Sequence, residues 1–241
     1  MWKALVVVVV IAAPAPAFAQ PDDDGSVAGR LLRDVASDYK HFFSVENAEW
    51  LGFGGAAALV MHAGDDTIYQ WVQDNHPSSL TGGNEYGSQF LQIPVAIAWW
   101  GIGAAAGSDR NAAVGRDLLR AQVSVASWTY AIKLAAGRTR PNGDSHSFPS
   151  GHSSASFATA MVLQEHFGWK LGVPAFAAAA YTGVSRVIDN QHWASDVVFG
   201  AFLGMASGRT VTLHVRDTRV TFAPLAAPGG GGVLVSATRY R

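Results

Sequence analysis

Three short stretches of the sequence combine cationic side chains, histidines and small residues in patterns suited to binding an oxyanion. The first is "KLAAGRTRP", in which Lys133 and Arg140 lie seven residues apart. Seven residues make nearly two helical turns, so the spacing predicts both cations on one helix face, with Pro141 ending the helix. The apolar neighbours of Lys133 would require an anionic partner if that lysine is buried. Taken alone, the pair fits two solvated cations at a helix end equally well.

The second stretch is "FPSGHSSAS", which places a histidine directly after two small residues. Pro149 fits the start of a helix, and Ser150 with Gly151 would leave the first-turn amides uncovered. Such a helix start binds anions because its N–H groups lack intrahelical acceptors and carry the positive end of the helix dipole. His152 in that turn could donate a proton to an oxygen bound there. The alternative is an ordinary capped helix start with a surface histidine.

The third stretch is "SRVIDNQHWASD", in which His192 and Asp196 are spaced i, i+4. On a helix, this spacing would let the carboxylate accept from one ring nitrogen and leave the other as a nucleophile. Arg186 lies six residues before His192, across "IDN", and is assigned to the preceding helix. The alternative is a His/Asp pair on a helix surface.

Considered together, the three stretches predict one site with three positive charges, from Lys133, Arg140 and Arg186. The helix start adds backbone donors, and the two histidines supply a nucleophile and an acid. Phosphate is the ligand that fits this combination of charge and donors.

The ordered motifs K-x6-R-P, P-S-G-H and S-R-x5-H-x3-D resemble those of the type 2 phosphatidic acid phosphatase and vanadium haloperoxidase superfamily. This resemblance covers residues 133–196 directly. It implies an all-α bundle of six to seven helices. It also implies hydrolysis of a phosphomonoester or diphosphate through a phosphohistidine, with no metal ion or cofactor.

The same resemblance implies a role for each matched position. The residues expected to bind phosphate oxygens are Lys133, Arg140, Ser150, Gly151 and Arg186. The residues expected to act on the phosphoryl group are His192 as nucleophile, Asp196 as the group that orients it, and His152 as general acid.

Several functions remain open at this stage. A lipid phosphate is the favoured substrate because the apolar segments would suit an acyl or prenyl chain, but a small phosphomonoester fits the motifs as well. A haloperoxidase would hold vanadate in the same pocket, and a non-catalytic bundle would bind phosphate or phospholipid only. The other histidines lack the spacing of metal ligands, although His146, between two of the motifs, could line the entrance.

The composition sets limits on the kind of protein. With 49% apolar residues, 15% charged residues and a net charge of −1, the chain suits one compact domain and lacks the basic field of nucleic-acid binding. Cysteine is absent, which excludes disulfides and thiolate catalysis.

The N-terminus predicts export from the cytoplasm. Lys3 precedes an apolar run, and small residues end in Ala17-Phe18-Ala19. This pattern indicates a cleaved signal peptide over residues 1–19 and a mature protein in the periplasm or outside the cell.

The helical periodicity predicts how the remaining chain is organised. An amphipathic N-terminal region occupies residues 20–48, the helical phosphatase domain residues 49–208 and a β-like tail residues 209–241. Predicted helices cover residues 27–43, 48–64, 90–107, 117–136, 150–167, 171–187 and 191–207. Residues 74–87 read as loop, and Asp65 with Asp66 as a helix-to-helix turn. The segments "TVTLHV", "RVTFAPL" and "VLVSATRY" predict a hairpin or meander.

Membrane association stays open on the sequence alone. Between Glu85 and Asp109 lie 23 uncharged residues, which is just long enough to cross a bilayer. The other uncharged runs are shorter, so a soluble helical core is the favoured interpretation.

Overall fold

The computed structural model describes residues 26–213 in full and the backbone of residues 218–227 and 230–239. The predicted signal peptide over residues 1–19 lies outside the described residues. The helices in the described part of the chain are α1 (Val27–His41), α2 (Val45–His62), α3 (Asp65–Asn75), α4 (Gly83–Gly87), α5 (Gln89–Ala105), α6 (Asp109–Ala136), α7 (Gly151–Phe167), α8 (Trp169–Ile188) and α9 (Ala194–Val211).

The predicted all-α bundle is confirmed, and each of the seven predicted helices corresponds to a long helix of the structure. Two short helices were not predicted. Asp65 and Asp66 begin α3 instead of closing a turn, since carboxylates in a first helical turn favour the positive end of the helix dipole. Within the predicted loop, α4 forms a single turn that packs against α7 and α8.

Helix α7 lies at the centre of the bundle and packs against α6, α8 and α9. Its closest neighbour is α9, because two glycines of α9 have no side chain to separate the backbones. A Cβ atom on Gly204 would lie 2.3 Å from the Ser154 carbonyl oxygen, and one on Gly208 would lie 2.6 Å from that of Ala158. This close packing holds the start of α7 beside the start of α9.

Two predictions that placed a pair of site residues on one helix are wrong. Helix α6 ends at Ala136, because Gly137 adopts the left-handed conformation with φ 57° and donates its N–H to the Lys133 carbonyl at 3.0 Å. Arg140 therefore lies in the following loop and not on a shared helix face. Helix α9 begins at Ala194, so His192 precedes it and is not one helical turn from Asp196.

The C-terminal tail contains a two-stranded antiparallel hairpin, as one of the two predicted forms. Strand β1 (Thr218–Ala227) pairs with β2 (Gly230–Arg239), with Ala227 opposite Gly230 at the turn. The first predicted strand segment, "TVTLHV", instead starts inside α9, which continues to Val211.

The outer faces of several helices carry exposed large apolar side chains. Examples are Phe53, Leu59 and Val60 on α2, Phe90 and Ile102 on α5, Leu134 on α6, and Trp169 and Val173 on α8. One helix of the described chain, α8, is long and apolar enough to cross a membrane when judged by length and composition alone.

Candidate active site

The predicted site residues meet where the end of α6, the start of α7, the end of α8 and the start of α9 converge. Their proximity is visible in the electrostatics of His152, because positive charges nearby lower the pKa of a histidine. Besides burial, the groups that lower the pKa of His152 are Arg186, His192, Arg140 and Lys133. The structure thus brings residues from all three motifs close to His152.

Lys133 is buried and its ammonium group is anchored by the loop that follows α6. Nζ donates to the carbonyl oxygens of His146 at 2.6 Å and Ser147 at 3.0 Å. An ammonium group has three donors, so one N–H remains for a ligand. Burial and the positive charge of Arg140 lower the pKa of Lys133 to about 8, against the opposing effect of Asp196.

Arg140 presents a buried donor that the protein does not use. Its Nη1 donates to Gln191 Oε1 at 3.2 Å, while its Nε is buried and has no hydrogen-bond partner within residues 26–213. A buried N–H without an acceptor is costly, and an oxyanion bound here would satisfy it. The loop is fixed by a hydrogen bond from the Arg140 N–H to the Asp144 carbonyl at 2.7 Å.

Arg186 is oriented by two acceptors from different parts of the chain. Its Nη2 lies 2.5 Å from Asp189 Oδ2, and its Nη1 donates to Asn84 Oδ1 at 2.7 Å. Asn84 belongs to α4, which the sequence predicted as loop. Sequence spacing offers no signal for this contact, because 102 residues separate the two partners.

The start of α7 uses the backbone N–H and the hydroxyl oxygen of Ser150 in hydrogen bonds within the protein. The Ser150 hydroxyl accepts the Ser153 N–H at 3.4 Å, and the Ser150 N–H donates to the Asp196 carbonyl at 3.0 Å. The N–H and the hydroxyl oxygen of Ser150 therefore both have hydrogen-bond partners within the protein. The N–H groups of Gly151 and His152 are the amides of this turn that have no intrahelical acceptor. A Cβ atom on Gly151 would lie 4.0 Å from Lys133 Cε, so this turn of α7 lies next to the Lys133 side chain.

His192 is buried, and one side of its ring faces a carboxylate and a hydroxyl. Its Nδ1 lies 3.6 Å from Asp196 Oδ2 and 3.5 Å from Ser147 Oγ. The Ser147 hydroxyl also donates to Asp196 Oδ2. Because Nδ1 is directed at this pair, Nε2 is the ring nitrogen left for a reaction. The sequence analysis missed Ser147, which lies one residue after His146 in the loop between two motifs.

The pKa values of the two histidines are lowered to the same extent, mainly by burial in both cases. The pKa of His192 is lowered to about 4 by burial, with Lys133 and Arg140 adding to the effect and Asp196 opposing it. The pKa of His152 is lowered to about 4 by burial and then by Arg186. Both rings are therefore neutral near pH 7 in the protein without a ligand. Neutrality suits a nucleophile, whereas a general acid needs a proton.

Two further residues were missed by the sequence analysis. Arg138 lies between Lys133 and Arg140 in the first motif, and its Nη1 donates to Asp196 Oδ1 at 2.7 Å. Its Nη2 donates to Asp65 Oδ2 at 2.8 Å. Arg138 could have been noticed as a third basic residue within the first motif. The sequence offers no comparable indication for Asp65.

A cleft of about 330 Å³ lies next to this region, lined by α2 and α9 residues together with Arg138 and Phe148. None of the three predicted phosphate-binding cations lines it. Within the described residues, no group of three or more histidine, aspartate or glutamate side chains is arranged to hold a metal ion.

Part of this chain is similar to a known protein family and to several known proteins. Residues 117–219 match the family model of the PAP2 superfamily. The chain is 40% identical over 80 residues to the lipid A 1-phosphatase of Porphyromonas gingivalis, and 30% identical over 76 residues to the lipid A 4'-phosphatase of Helicobacter pylori. The alignments cover 32% of this chain in both cases, and 18% and 38% of the respective relatives. The chain therefore matches less than half the length of these relatives.

Two solved structures share the fold. The transmembrane PAP2-type phosphatidylglycerolphosphate phosphatase of Bacillus subtilis superposes with a TM-score of 0.55 at 20% identity, covering 70% of this chain and 94% of that one. Aquifex aeolicus LpxE superposes with a TM-score of 0.51 at 19% identity, covering 62% and 94%. The match of residues 117–219 to the PAP2 superfamily model confirms the resemblance seen in the three motifs.

Proposed function

We propose that this protein is a phosphatase that hydrolyses a lipid-linked phosphomonoester or diphosphate without a metal ion, through a phosphohistidine on His192. The observation that carries the proposal is the buried Nε of Arg140, which has no partner within residues 26–213 and lies in a pocket with two other cations. Such a pocket is built for an anion with several oxygens. Preorganised cations and amides of this kind stabilise the charge that develops during phosphoryl transfer.

In the first step, Nε2 of His192 attacks phosphorus and the bond from phosphorus to the leaving oxygen breaks. The leaving oxygen keeps the bonding electrons and takes a proton from His152. Asp196 and Ser147, on the Nδ1 side, hold the ring and stabilise its positive charge. In the second step, water attacks phosphorus and gives a proton to His152. The bond from phosphorus to nitrogen breaks, which releases inorganic phosphate and restores neutral His192.

The lowered pKa of His152 is consistent with an acid that is charged only when substrate is bound. Without a ligand, the positive charges of Arg186, Arg140 and Lys133 disfavour the imidazolium form. A phosphate group in the pocket brings negative charge that offsets these cations and raises the pKa of His152. The substrate would therefore supply the condition under which His152 carries its proton.

A lipid substrate is supported by the surface of the bundle. Leu59, Val60 and Phe90 are 73%, 79% and 95% exposed, which is unusual for large apolar side chains of a soluble protein. These faces favour membrane association over the soluble bundle that the sequence favoured. The matched relatives with lipid phosphatase names, including a putative phosphatidate phosphatase of Drosophila melanogaster, point in the same direction.

Export through a cleaved signal peptide would place the site in the periplasm or outside the cell. The support for this part of the proposal is the N-terminal pattern of Lys3, an apolar run and Ala17-Phe18-Ala19. Cell fractionation and N-terminal sequencing of the mature protein test it. A mature chain that begins near Gln20 is expected, and a chain that retains Met1 would contradict cleavage.

The phosphatase activity is tested with the full-length protein in detergent and excess chelator. Phosphate release is compared for phosphatidic acid, a prenyl diphosphate and p-nitrophenyl phosphate, with His192→Ala as the inactive variant. The exposed α1 residue His41, changed to alanine, is the matched control and should remain active. Acid-labile phosphate should be trapped on the wild type and be absent from His192→Ala.

The outcomes separate the parts of this proposal. Label on a serine would contradict the phosphohistidine, and activity that is lost in chelator and restored by magnesium or zinc would contradict metal independence. Hydrolysis of p-nitrophenyl phosphate alone would contradict the lipid substrate. Failure to hydrolyse any of the three compounds would contradict the phosphatase activity.

A further inference from the structure

The carboxylate of Asp196 accepts hydrogen bonds from three donors besides the histidine that it was predicted to orient. Its Oδ2 accepts the Trp193 N–H at 3.0 Å and the Ser147 hydroxyl. Its Oδ1 accepts Nη1 of Arg138 at 2.7 Å. Asp196 is completely buried, so an arginine beside it also balances its charge.

Arg138 is in turn fixed by a second buried carboxylate. Its Nη2 lies 2.8 Å from Oδ2 of Asp65, at the first residue of α3. Asp65 also accepts the Ser195 N–H at 3.0 Å and the Ser195 hydroxyl at 2.5 Å. Asp65 therefore holds both Arg138 and the residue that immediately precedes Asp196.

The donors of Arg138 are directed at protein acceptors, in contrast to those of Arg140 two residues later. Nη1 of Arg138 serves Asp196 and the Ser195 hydroxyl, each at 2.7 Å. Nη2 serves Asp65 and lies 3.1 Å from Nδ1 of His62. Arg140, by comparison, has a buried Nε without a partner among the described residues. The same loop thus carries Arg138, whose guanidinium donors bind protein acceptors, and Arg140, whose Nε donor is available for an anion.

We propose that Arg138 and Asp65 are positioning residues for the reaction at His192: Arg138 holds and charge-balances the Asp196 carboxylate, and Asp65 holds Arg138. This inference rests on the proposed phosphohistidine mechanism. It assigns to α3 a part in the active site, although α3 supplies no group that contacts phosphate.

The geometry gives two reasons for this role. A carboxylate held on both oxygens cannot rotate, so the Nδ1 side of His192 always meets the same acceptor and Nε2 stays aimed at the substrate. An arginine on the far oxygen also weakens the pull of Asp196 on the proton of His192. The charged groups around this unit are Lys133 on α6, Arg140 in the following loop, His152 on α7, Asp65 on α3 and His62 on α2.

Removing the arginine charge should therefore change turnover and its pH dependence together. Arg138→Gln in the full-length protein should lower kcat by about tenfold to a hundredfold and leave KM nearly unchanged, because the phosphate-binding cations remain. The acid limb of kcat/KM should move to higher pH, since an unbalanced Asp196 favours protonated His192. Arg138→Lys, which restores the charge without the two-armed contact, should recover part of kcat.

Asp65→Asn provides the second variant, with the opposite electrostatic sign. It should lower kcat because Arg138 loses its anchor, but it should not move the acid limb to higher pH, since it removes a negative charge. A general loosening of the site would instead shift the acid limb of kcat/KM in the same direction in both variants. Arg116→Gln, an exposed arginine of α6, is the matched control and should behave as wild type.

Unfolding temperature is measured for every variant, so that loss of folded protein is separated from loss of turnover. An unchanged kcat in Arg138→Gln would overturn the proposal, as would a raised KM with unchanged kcat, which would make Arg138 a phosphate ligand. If Arg138→Gln does not fold, an unchanged kcat in Asp65→Asn would overturn it. An inactive wild type would instead contradict the proposed function.

Discussion

Arg186 forms an ion pair with Asp189, three residues later, in which Nη2 and Oδ2 are 2.5 Å apart. A cation proposed to bind phosphate is therefore held by a carboxylate in the unliganded protein. Asp189 is 22% exposed at its side chain and also accepts the Ser79 hydroxyl at 2.7 Å. If Arg186 binds phosphate as proposed, the carboxylate of Asp189 competes with the substrate for this guanidinium group.

Removing this competitor should strengthen anion binding. Asp189→Asn should lower the inhibition constant for inorganic phosphate by a few-fold, which corresponds to roughly 1 kcal/mol or less for a partly exposed ion pair. Asp109→Asn is the charge-matched control, since Asp109 lies 24 residues before Lys133 in α6, or about 36 Å along the helix. Weaker phosphate binding in Asp189→Asn alone would show that Asp189 orients Arg186 for the ligand.

Vanadate should inhibit competitively and bind more tightly than phosphate, because it takes the five-coordinate geometry of phosphorus during attack by His192. Arg186→Ala should weaken vanadate more than phosphate, since the equatorial oxygens make their full contacts only in that geometry. Inhibition constants for both anions test this, with Arg116→Ala as control. An equal loss of affinity for both anions would mean that Arg186 binds phosphate and vanadate equally well. No loss of affinity for either anion would place Arg186 outside the binding site.

The charge states of the two histidines should respond differently to a ligand. His192 should be neutral down to a pH of about 4 and become protonated as the pH falls through that value, because burial has lowered its pKa. The pKa of His152 should start near the same value and rise when vanadate binds, since the negative charge of the anion offsets the positive charge of Arg186. Titration of ¹⁵N-histidine signals, assigned with His152→Gln and His192→Gln, measures both. An unchanged His152 midpoint with vanadate would contradict its role as acid.

General acid catalysis by His152 should depend on the leaving group. His152→Gln should reduce kcat by about 10²–10⁴-fold for an alkyl phosphate such as phosphatidic acid, whose leaving oxygen needs a proton. The loss should be much smaller for p-nitrophenyl phosphate, because nitrophenolate leaves without one. Comparison of kcat for the two substrates checks this expectation. Equal losses would indicate that His152 binds phosphate and does not protonate the leaving oxygen.

The contact between α7 and α9 should be sensitive to any added side chain. Gly204→Ala should lower the free energy of unfolding by about 1–3 kcal/mol, because its Cβ would lie 2.3 Å from the Ser154 carbonyl oxygen. Gly101→Ala on α5 is the control, since no atom lies within 4 Å of a Cβ there. Thermal unfolding in one detergent compares the two. An equal effect in both variants would contradict the close approach of α7 and α9.

Local sequence was sufficient to predict the long helices and the chemical character of the site. Apolar periodicity and helix formers determine where α5, α6 and α7 lie, because these properties act over a few neighbouring residues. The motif residues Lys133, His152 and His192 were likewise recognisable by type and order. Their roles in catalysis stay predictions that the experiments above address.

Helix ends were predicted less well, because single residues decide them. The helix face predicted to carry both Lys133 and Arg140 requires α6 to continue to Pro141. Gly137 instead adopts the left-handed conformation, and α6 ends at Ala136, where the predicted helical segment 117–136 also ends. His192 was placed on a helix with Asp196, but α9 starts only after Trp193. Both errors concern the geometry between the paired residues, which the structure brings close together through loops instead of along one helix.

The partners of the site residues were decided by tertiary structure alone. Asn84 reaches Arg186 across 102 residues, and Asp65 reaches Ser195 across 130. No local propensity encodes such contacts, since they arise only when packing brings α4 to α8 and α3 to the start of α9. The sequence by itself therefore determined which side chains this protein has for the proposed phosphate chemistry. The packing of the helices decided which buried carboxylates and amides hold those side chains, because a buried charge must find its partner wherever the fold places one.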